Sequence, residues 1–525
     1  MAFHPRRFLR WRAASAAVVL VLAACGGGGG SDAPQEPAAE TPAEGSIEQA
    51  FADATAYSVQ PGGSLAQANE GTAISHHQLL AHGVTLAYTA RAGHLVVKDS
   101  SGRPQASFFY VAYTLDGENA AQRPLTFFYN GGPGSASVWL HLGSFGPRRL
   151  ATAAPSTSTP KPFALVANEE TLLDASDLVF VDAIGTGHSQ AVAPYTNQHF
   201  WGVDADAAAF RDFVQRYVAA NQREASPKFL FGESYGTTRS AVLAELLETA
   251  GVSLKGMVLQ SSVLDYNSNC GVTGQGSCAG YLPSYAATGA YHRLVNPPPA
   301  DLDGFEQQMR EFTRNSYSPA LAAYLSQGTP PSGSLLSALA ANTGASTSLW
   351  QGHFNLDPTT FQVNLLPNDL VGRYDARMAA PKGSALASEG DPSSTFISSQ
   401  FASAIQSYLR SSLGYSSITG YVTLSDAINT WDFSHDGRAL PDTVPDLATA
   451  LTLNPNLKVL SVSGYHDLAT PFFQTELDLA RLGGTAAVQL RSYPGGHMTY
   501  LDDASRVRER ADLQAFYLQA VAAGR

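Results

Sequence analysis

Cysteine is nearly missing from this 525-residue chain, which carries three, at positions 25, 270 and 278. No Cys/His cluster has zinc-ligand spacing, and the close-set His76, His77 and His82 lack the HExxH or HxxEH form of a metallopeptidase, so metal catalysis is not expected. Charge is scarce as well. Asp, Glu, Lys and Arg make up 14% of the residues, the net charge is −12, and no basic run follows residue 12. Such a surface repels phosphate backbones, which excludes nucleic acid as a partner. The apolar stretch near the amino terminus, Ala13 to Ala24, is twelve residues long and falls short of the ~20 needed to span a bilayer. No internal repeat is apparent.

What is present begins with an address. Arg6, Arg7, Arg10 and Arg12 precede the short apolar stretch, the pattern of an export signal occupying residues 1–25. The stretch ends Leu22-Ala23-Ala24-Cys25, which resembles the lipobox of bacterial lipoproteins and implies lipidation of Cys25 as the mature first residue. Gly26 after it implies outer-membrane sorting, with the protein on the periplasmic side. An ordinary signal peptide cleaved near Ala24 is the alternative. Residues 26–46 alternate Gly, Pro and acidic residues with almost no apolar bulk and read as a disordered tether. Cys270 and Cys278 lie close together in a glycine-rich loop, and in an exported protein they are expected to be bridged.

A chain of this length exceeds the roughly 250–300 residues of a single hydrophobic core, so a core with a large insertion is expected. From Val84 to Leu115, runs rich in β-branched and aromatic residues suggest an antiparallel lead-in. Short apolar runs suited to buried parallel strands follow at Leu125–Tyr129, Leu178–Val181, Phe229–Phe231, Met257–Leu259, Val459–Val462 and Val488–Tyr493. Between them, Asp206–Ala220 sets Phe210, Phe213, Val214 and Tyr217 on one helical stripe, and Thr238–Thr249 reads similarly. This alternation predicts an α/β fold with a mostly parallel central sheet covered by helices on both faces. The rhythm is lost over residues 270–431, where helices are expected around Leu302–Arg314, Pro319–Ser326, Leu335–Ala341 and Ile397–Ser412. That segment is an expected cap, inserted between a first core part (47–269) and a second (432–525).

The chemistry-bearing residues follow strands. Phe229 to Gly236, FLFGESYG, is a strand running into G-x-S-x-G and then a helix, the arrangement of a nucleophile elbow at Ser234. A serine hydroxyl needs a base held by a carboxylate. Asp467 follows the strand at Val459, and His497 lies in a glycine-rich loop after the strand at Val488. A helix N-cap role for Asp467 and an idle loop histidine at 497 are the alternatives, and His466 is a rival base. Asn130-Gly131-Gly132-Pro133-Gly134 follows another strand and offers the Gly132 N–H as an oxyanion donor beside that of Tyr235. This loop lacks the Gly-Lys-Ser/Thr ending of a phosphate-binding loop.

With NGGPG, GESYG, the late Asp467 and GGHM in this order, and with Asn168 to Ser189 ending in a Gly-Thr-Gly-x-Ser turn, the chain resembles the serine carboxypeptidases, peptidase family S10. The resemblance implies the α/β-hydrolase fold, peptide substrates, no cofactor, and removal of C-terminal residues through an acyl-enzyme on Ser234, with Asp467 and His497 completing the triad. It also implies that Asn130 and a protonated Glu233 bind the substrate's terminal carboxylate. Two positions depart from the family pattern. Ser144 stands where a second acid is usual, and His188 where an aromatic is common. An esterase or acyltransferase using the same triad, and a lipoprotein that binds without turnover, are the competing readings.

Overall fold

The computed structural model describes residues 45–158 and 161–523. The expected signal peptide, Cys25 and the tether as far as Glu44 lie outside the described residues. Ser46, the last residue expected in the tether, opens the first strand.

Ten strands build the central sheet: β1 (Ser46–Gln49), β2 (Thr72–Ala81), β3 (Val84–Lys98), β4 (Pro104–Leu115), β5 (Leu125–Tyr129), β6 (Asp177–Val181), β7 (Lys228–Glu233), β8 (Leu254–Gln260), β9 (Lys458–Gly464) and β10 (Val488–Tyr493). Their order is β1-β2-β3-β4-β6-β5-β7-β8-β9-β10, with the short Gln190–Ala191 strand pairing β4 from the side. Neighbours from β6 to β10 are parallel, whereas β1 to β4, and β4 against β6, are antiparallel. The lead-in is longer than its sequence runs suggest. β3 passes through Gly93 without a break, and β2, with Ala73, Ser75, Leu79 and Ala81 buried, extends the antiparallel part toward the amino terminus.

The parallel strands β5 to β9 are buried almost throughout on both faces, which is why they read as apolar runs, whereas the edge strand β10 exposes Leu490 and Arg491. In register across β6, β5 and β7, the rings of Phe180, Phe128 and Phe231 stack at 4.7 and 4.8 Å. They share their side of the sheet with α1 (Val138–Gly143) and the carboxyl-terminal helix, where Phe516 and Tyr517 are buried. Phe127, Leu230 and Met257 point the other way, onto α2 (Val203–Ala220) and α3 (Tyr235–Thr249). The expected stripe of α2 is buried there. α3 begins three residues earlier than its periodicity suggests, because no loop separates it from Ser234.

Between β8 and β9 the chain leaves the sheet. The Cys270–Cys278 disulfide forms at the start of this excursion. The helices Leu282–Tyr291, Leu302–Phe312, Ser318–Gln327 and Gly333–Thr343 enclose a separate core around Tyr285, Met309, Leu321, Leu339, Trp350 and Phe361. Asp301 and Ser332 cap two of them by accepting from Gly304 N and Leu335 N. A fifth helix, α4 (Pro392–Ser411), packs Phe401 on Trp139 of α1. The returning chain pairs Tyr415–Ser417 with Phe51–Asp53, then crosses the glycine loop, where Ser425 N donates to Gly134 O and Ala136 N to Thr423 O.

A buried ion pair joins the two helices on one face. Arg239 of α3 donates to both oxygens of Asp206 of α2, at 2.6 and 3.3 Å, and to the Asn130 carbonyl at 2.8 Å. The guanidinium has no exposed surface and lies over the Phe210 ring at 4.3 Å. Replacing Asp206 by Ala strands that cation in an apolar interior, and the expected loss is about 3–5 kcal/mol of unfolding free energy in a denaturant titration. A loss below about 1 kcal/mol would mean that the pair does not hold the helices together.

Candidate active site

Three loops at the carboxyl ends of parallel strands, and one turn, meet at a single cleft, the place where ligands approach such sheets. Ser234 sits directly after β7 with φ 59° and ψ −128°, a conformation costly for a residue with a Cβ. Its N–H donates to Gln260 O of β8 at 2.9 Å, and its carbonyl accepts from Thr237 N as the helix starts. The flanking glycines have a steric cause. A Cβ on Gly232 would collide with the Gly236 carbonyl and the Ser240 hydroxyl, so only glycine lets β7 and α3 close to this distance.

Asp467 follows β9 and is fully buried. One of its oxygens accepts from Ala469 N at 2.7 Å and Thr470 N at 3.0 Å. The other lies 2.8 Å from the Thr470 hydroxyl and 2.7 Å from Nδ1 of His497. Asp467 therefore ties its own turn and holds the imidazole at the same time. His497 follows β10 and is held at both backbone groups: its N–H donates to Tyr374 O at 2.6 Å, and its carbonyl accepts from the Ser261 hydroxyl at 2.5 Å. The Tyr374 ring packs on the imidazole, centroids 4.9 Å apart. Burial alone pulls the His497 pKa down, but the Asp467 carboxylate outweighs it and holds the imidazole above its ordinary value. The rival His466 is buried against Tyr291 and does not line the cleft.

Ser234, His497, Glu233, Asn130 and Gly132 all line this cleft, whose volume is about 80 Å³. No hydrogen bond joins the Ser234 hydroxyl to His497 among the described residues; such bonds commonly tighten only when substrate is bound. The glycine loop lies directly on the elbow. A Cβ on Gly131 would stand 2.6 Å from Gly236 N and 2.7 Å from Glu233 O, and closer still to Tyr235 N. Gly132 itself adopts φ 100°. The N–H groups of Gly132 and Tyr235 have no protein acceptor among the described residues, which leaves both available to a ligand oxygen.

Glu233 is 2% exposed, and burial pushes its carboxyl up to about 7. Asn130 Nδ2 donates to one of its oxygens at 2.7 Å and the Tyr500 hydroxyl to the other at 2.5 Å. The Asn130 amide is in turn fixed by Leu140 N, which donates to Oδ1 at 3.0 Å. Ser144 does not reach this group; its hydroxyl turns back onto Leu140 O at 2.6 Å. His188 replaces an aromatic by acting as one. It lies within rings of Phe109, Tyr57, Tyr415 and Tyr421, and burial drives its pKa down to about 3, so the ring is neutral.

Thr470, Tyr374, Tyr500 and Arg239 were not singled out by sequence reasoning. Arg239 and its partner Asp206 left a readable trace, because each is a charge on a helix face otherwise apolar. Thr470 belongs to Asp467's own turn, whereas Tyr374 and Tyr500 become partners only through the meeting of separate loops.

A family model described as Peptidase_S10, serine carboxypeptidase, matches residues 82–326, a segment that holds the glycine loop and the elbow. A pheromone-processing carboxypeptidase KEX1 from Cryptococcus gattii is 30% identical over 171 residues, which are 31% of this chain and 24% of that protein. The match thus spans about a quarter of the curated relative. Among solved structures, the prohormone-processing carboxypeptidase Kex1(delta)p of Saccharomyces cerevisiae superposes with a TM-score of 0.52 at 15% identity, covering 81% of this chain and 91% of that one. The likeness to Kex1(delta)p shows the fold, that of the α/β hydrolases.

The contact between glycine loop and elbow yields an expectation of its own. Gly131→Ala must push the loop off Tyr235 and displace the two free N–H groups, so labelling of Ser234 by a fluorophosphonate probe is expected to slow by about a hundredfold in a protein that still melts cooperatively. Labelling within about twofold of wild type would show that the loop does not set the oxyanion geometry.

Proposed function

We propose that the protein is a serine-type carboxypeptidase that removes C-terminal residues from peptides. The observation that carries this reading is the 2.7 Å contact of His497 with Asp467 in the same cleft as Ser234 and the Asn130–Glu233 pair. Ser234 Oγ attacks the carbonyl carbon of the last peptide bond while His497 Nε2 takes its proton. Asp467 keeps the proton of the imidazole on Nδ1 and favours the imidazolium that forms. Negative charge gathers on the carbonyl oxygen, where the N–H groups of Gly132 and Tyr235 stabilise it. His497 then gives its proton to the departing amine, the C–N bond breaks, and the acyl group stays on Ser234. Water, deprotonated by the same histidine, releases the shortened peptide.

The preference for a chain end comes from Asn130 and Glu233. An ionised Glu233 would repel a terminal carboxylate, whereas a protonated one donates a hydrogen bond to it. Export and a lipid on Cys25, facing the periplasm or outer membrane, belong to the same proposal. The disulfide fits an oxidising compartment, and no helix among the described residues is long and apolar enough to cross a membrane. An esterase or acyltransferase is the second reading, favoured by one observation: at position 144 a serine that faces away takes the place of the second acid.

Mass spectrometry of peptide digests is expected to show stepwise loss of C-terminal residues, slowed by about 10⁴-fold or more in Ser234→Ala. A blocked dipeptide should be cleaved and its amidated form spared; equal turnover of both would show that the terminal carboxylate is not recognised, and turnover of neither beside hydrolysis of an ester would favour the esterase reading.

The pH dependence has a definite sign. The Glu233 carboxyl ionises near pH 7, so kcat/KM for the free-carboxylate substrate is expected to fall as pH rises through about 7, while protonation of His497, whose pKa is held above its ordinary value, closes the acid side. Glu233→Gln keeps a donor that does not titrate, and the alkaline fall should disappear from its kcat/KM profile. A fall that persists unchanged in this variant would assign it to another group.

A further inference from the structure

We propose that Tyr500 is the positioning residue for Glu233, taking the place of a second acid by holding one carboxyl oxygen while leaving the proton of the other free to face the cleft. This rests on the carboxylate-binding reading of Glu233. The geometry is asymmetric. Asn130 can only donate to Glu233, because its own amide oxygen is engaged by Leu140 N. The Tyr500 hydroxyl donates to Oε2 whether Glu233 is ionised or carries its proton on Oε1. Glu233 is therefore satisfied in both protonation states as long as the phenol is present.

Tyr500 has no exposed surface and does not line the cleft, so it acts on substrate only through Glu233. Its place is set independently of any ligand. Arg506 Nη1 donates to its carbonyl at 3.2 Å, the preceding Thr499 hydroxyl donates to Glu509 at 2.5 Å, and its ring lies against Gly143, where a Cβ would stand 2.9 Å from the ring edge. Ser144, one residue on, is committed to Leu140 O. A carboxyl in that role would repel an ionised Glu233, whereas a phenol donates to it and favours the ionised form. The other groups that bear on Glu233 are His497 and Asp467 from the loops after β10 and β9, Glu509 from the last helix, and Tyr374 from the insertion. Only Tyr500 and Asn130 hydrogen-bond it among the described residues.

The test uses full-length wild type, Tyr500→Phe and Glu233→Gln. Kinetics are measured on a blocked dipeptide across pH, and the protonated carboxyl stretch that vanishes in Glu233→Gln is titrated by infrared difference spectroscopy. In Tyr500→Phe the KM for the dipeptide is expected to rise about tenfold with kcat within about twofold, since the hydrogen bond that orients the protonated carboxyl is lost. The alkaline limb and the infrared midpoint should both move to higher pH. An infrared midpoint that does not move in Tyr500→Phe overturns the proposal. Fluorotyrosine at position 500, a stronger donor of nearly the same shape, should move the midpoint the opposite way, and it decides the matter if the Phe variant fails to fold. Should the wild type leave the dipeptide intact, the carboxypeptidase reading falls, while the infrared shifts still decide whether Tyr500 governs Glu233.

Discussion

The turn at Ser234 exists only because its surroundings leave no room for anything else. A residue with a Cβ at φ 59° relaxes unless its neighbours forbid it, and here a strand, a helix and a glycine loop meet within contact distance of its backbone. The Ser234 N–H is tied to β8, its carbonyl to the first turn of α3, and the loop after β5 rests on the following two N–H groups. Beneath it, the buried Arg239 reaches both Asp206 on the neighbouring helix and the Asn130 carbonyl at the start of the loop. Strain at the serine is thus balanced by packing across β5, β7, α2 and α3, and the projected hydroxyl and the two free N–H groups result from the same few contacts.

In the proposed mechanism two buried carboxyls a short way apart take opposite tasks, and the number of donors around them differs to match. Asp467 has four within reach: two backbone N–H groups, the Thr470 hydroxyl and His497. Glu233 has two, from Asn130 and Tyr500, and little else to offset its removal from water. The better-solvated group suits a fixed negative charge beside an imidazole, and the poorly solvated one suits an acid that keeps its proton into the neutral range. That separation of roles is what distinguishes a site with an acid and a base from one with two repelling anions.

The parts of this arrangement visible in the sequence were those a single backbone segment dictates. Phe229–Gly236 announces its strand, turn and helix because steric need fixes glycine at 232 and 236, and His497 and Asp467 stand out because each follows an apolar run. The fold class followed from the same alternation of strands and helices. Strand β2 was harder to see. Its centre, Ser75-His76-His77-Gln78, suggests a polar loop, yet His76 pairs with Glu48 and Thr89 across the sheet and His77 stacks on Tyr88. Tyr374 left no trace as a partner, since a tyrosine more than a hundred residues before His497 becomes its neighbour only after the insertion has folded back.

That folding back explains how chemistry and recognition are divided between the two parts of the chain. Every polar group that would touch the reacting atoms stands in a loop or turn that follows a sheet strand. The walls are different: Tyr374, Ser394, Ile397 and Leu424 all come from the excursion between β8 and β9. Of the many contacts that couple the parts, two bear directly on the cleft. The Tyr374 carbonyl holds His497 N, and the 423–425 segment is laced to the glycine loop. Changes elsewhere in the insertion can therefore reshape the cleft without moving the sheet ends. A change that shifts either contact moves the His497 imidazole or the glycine loop that lies on the elbow, so these two stretches are constrained by the strand ends they touch.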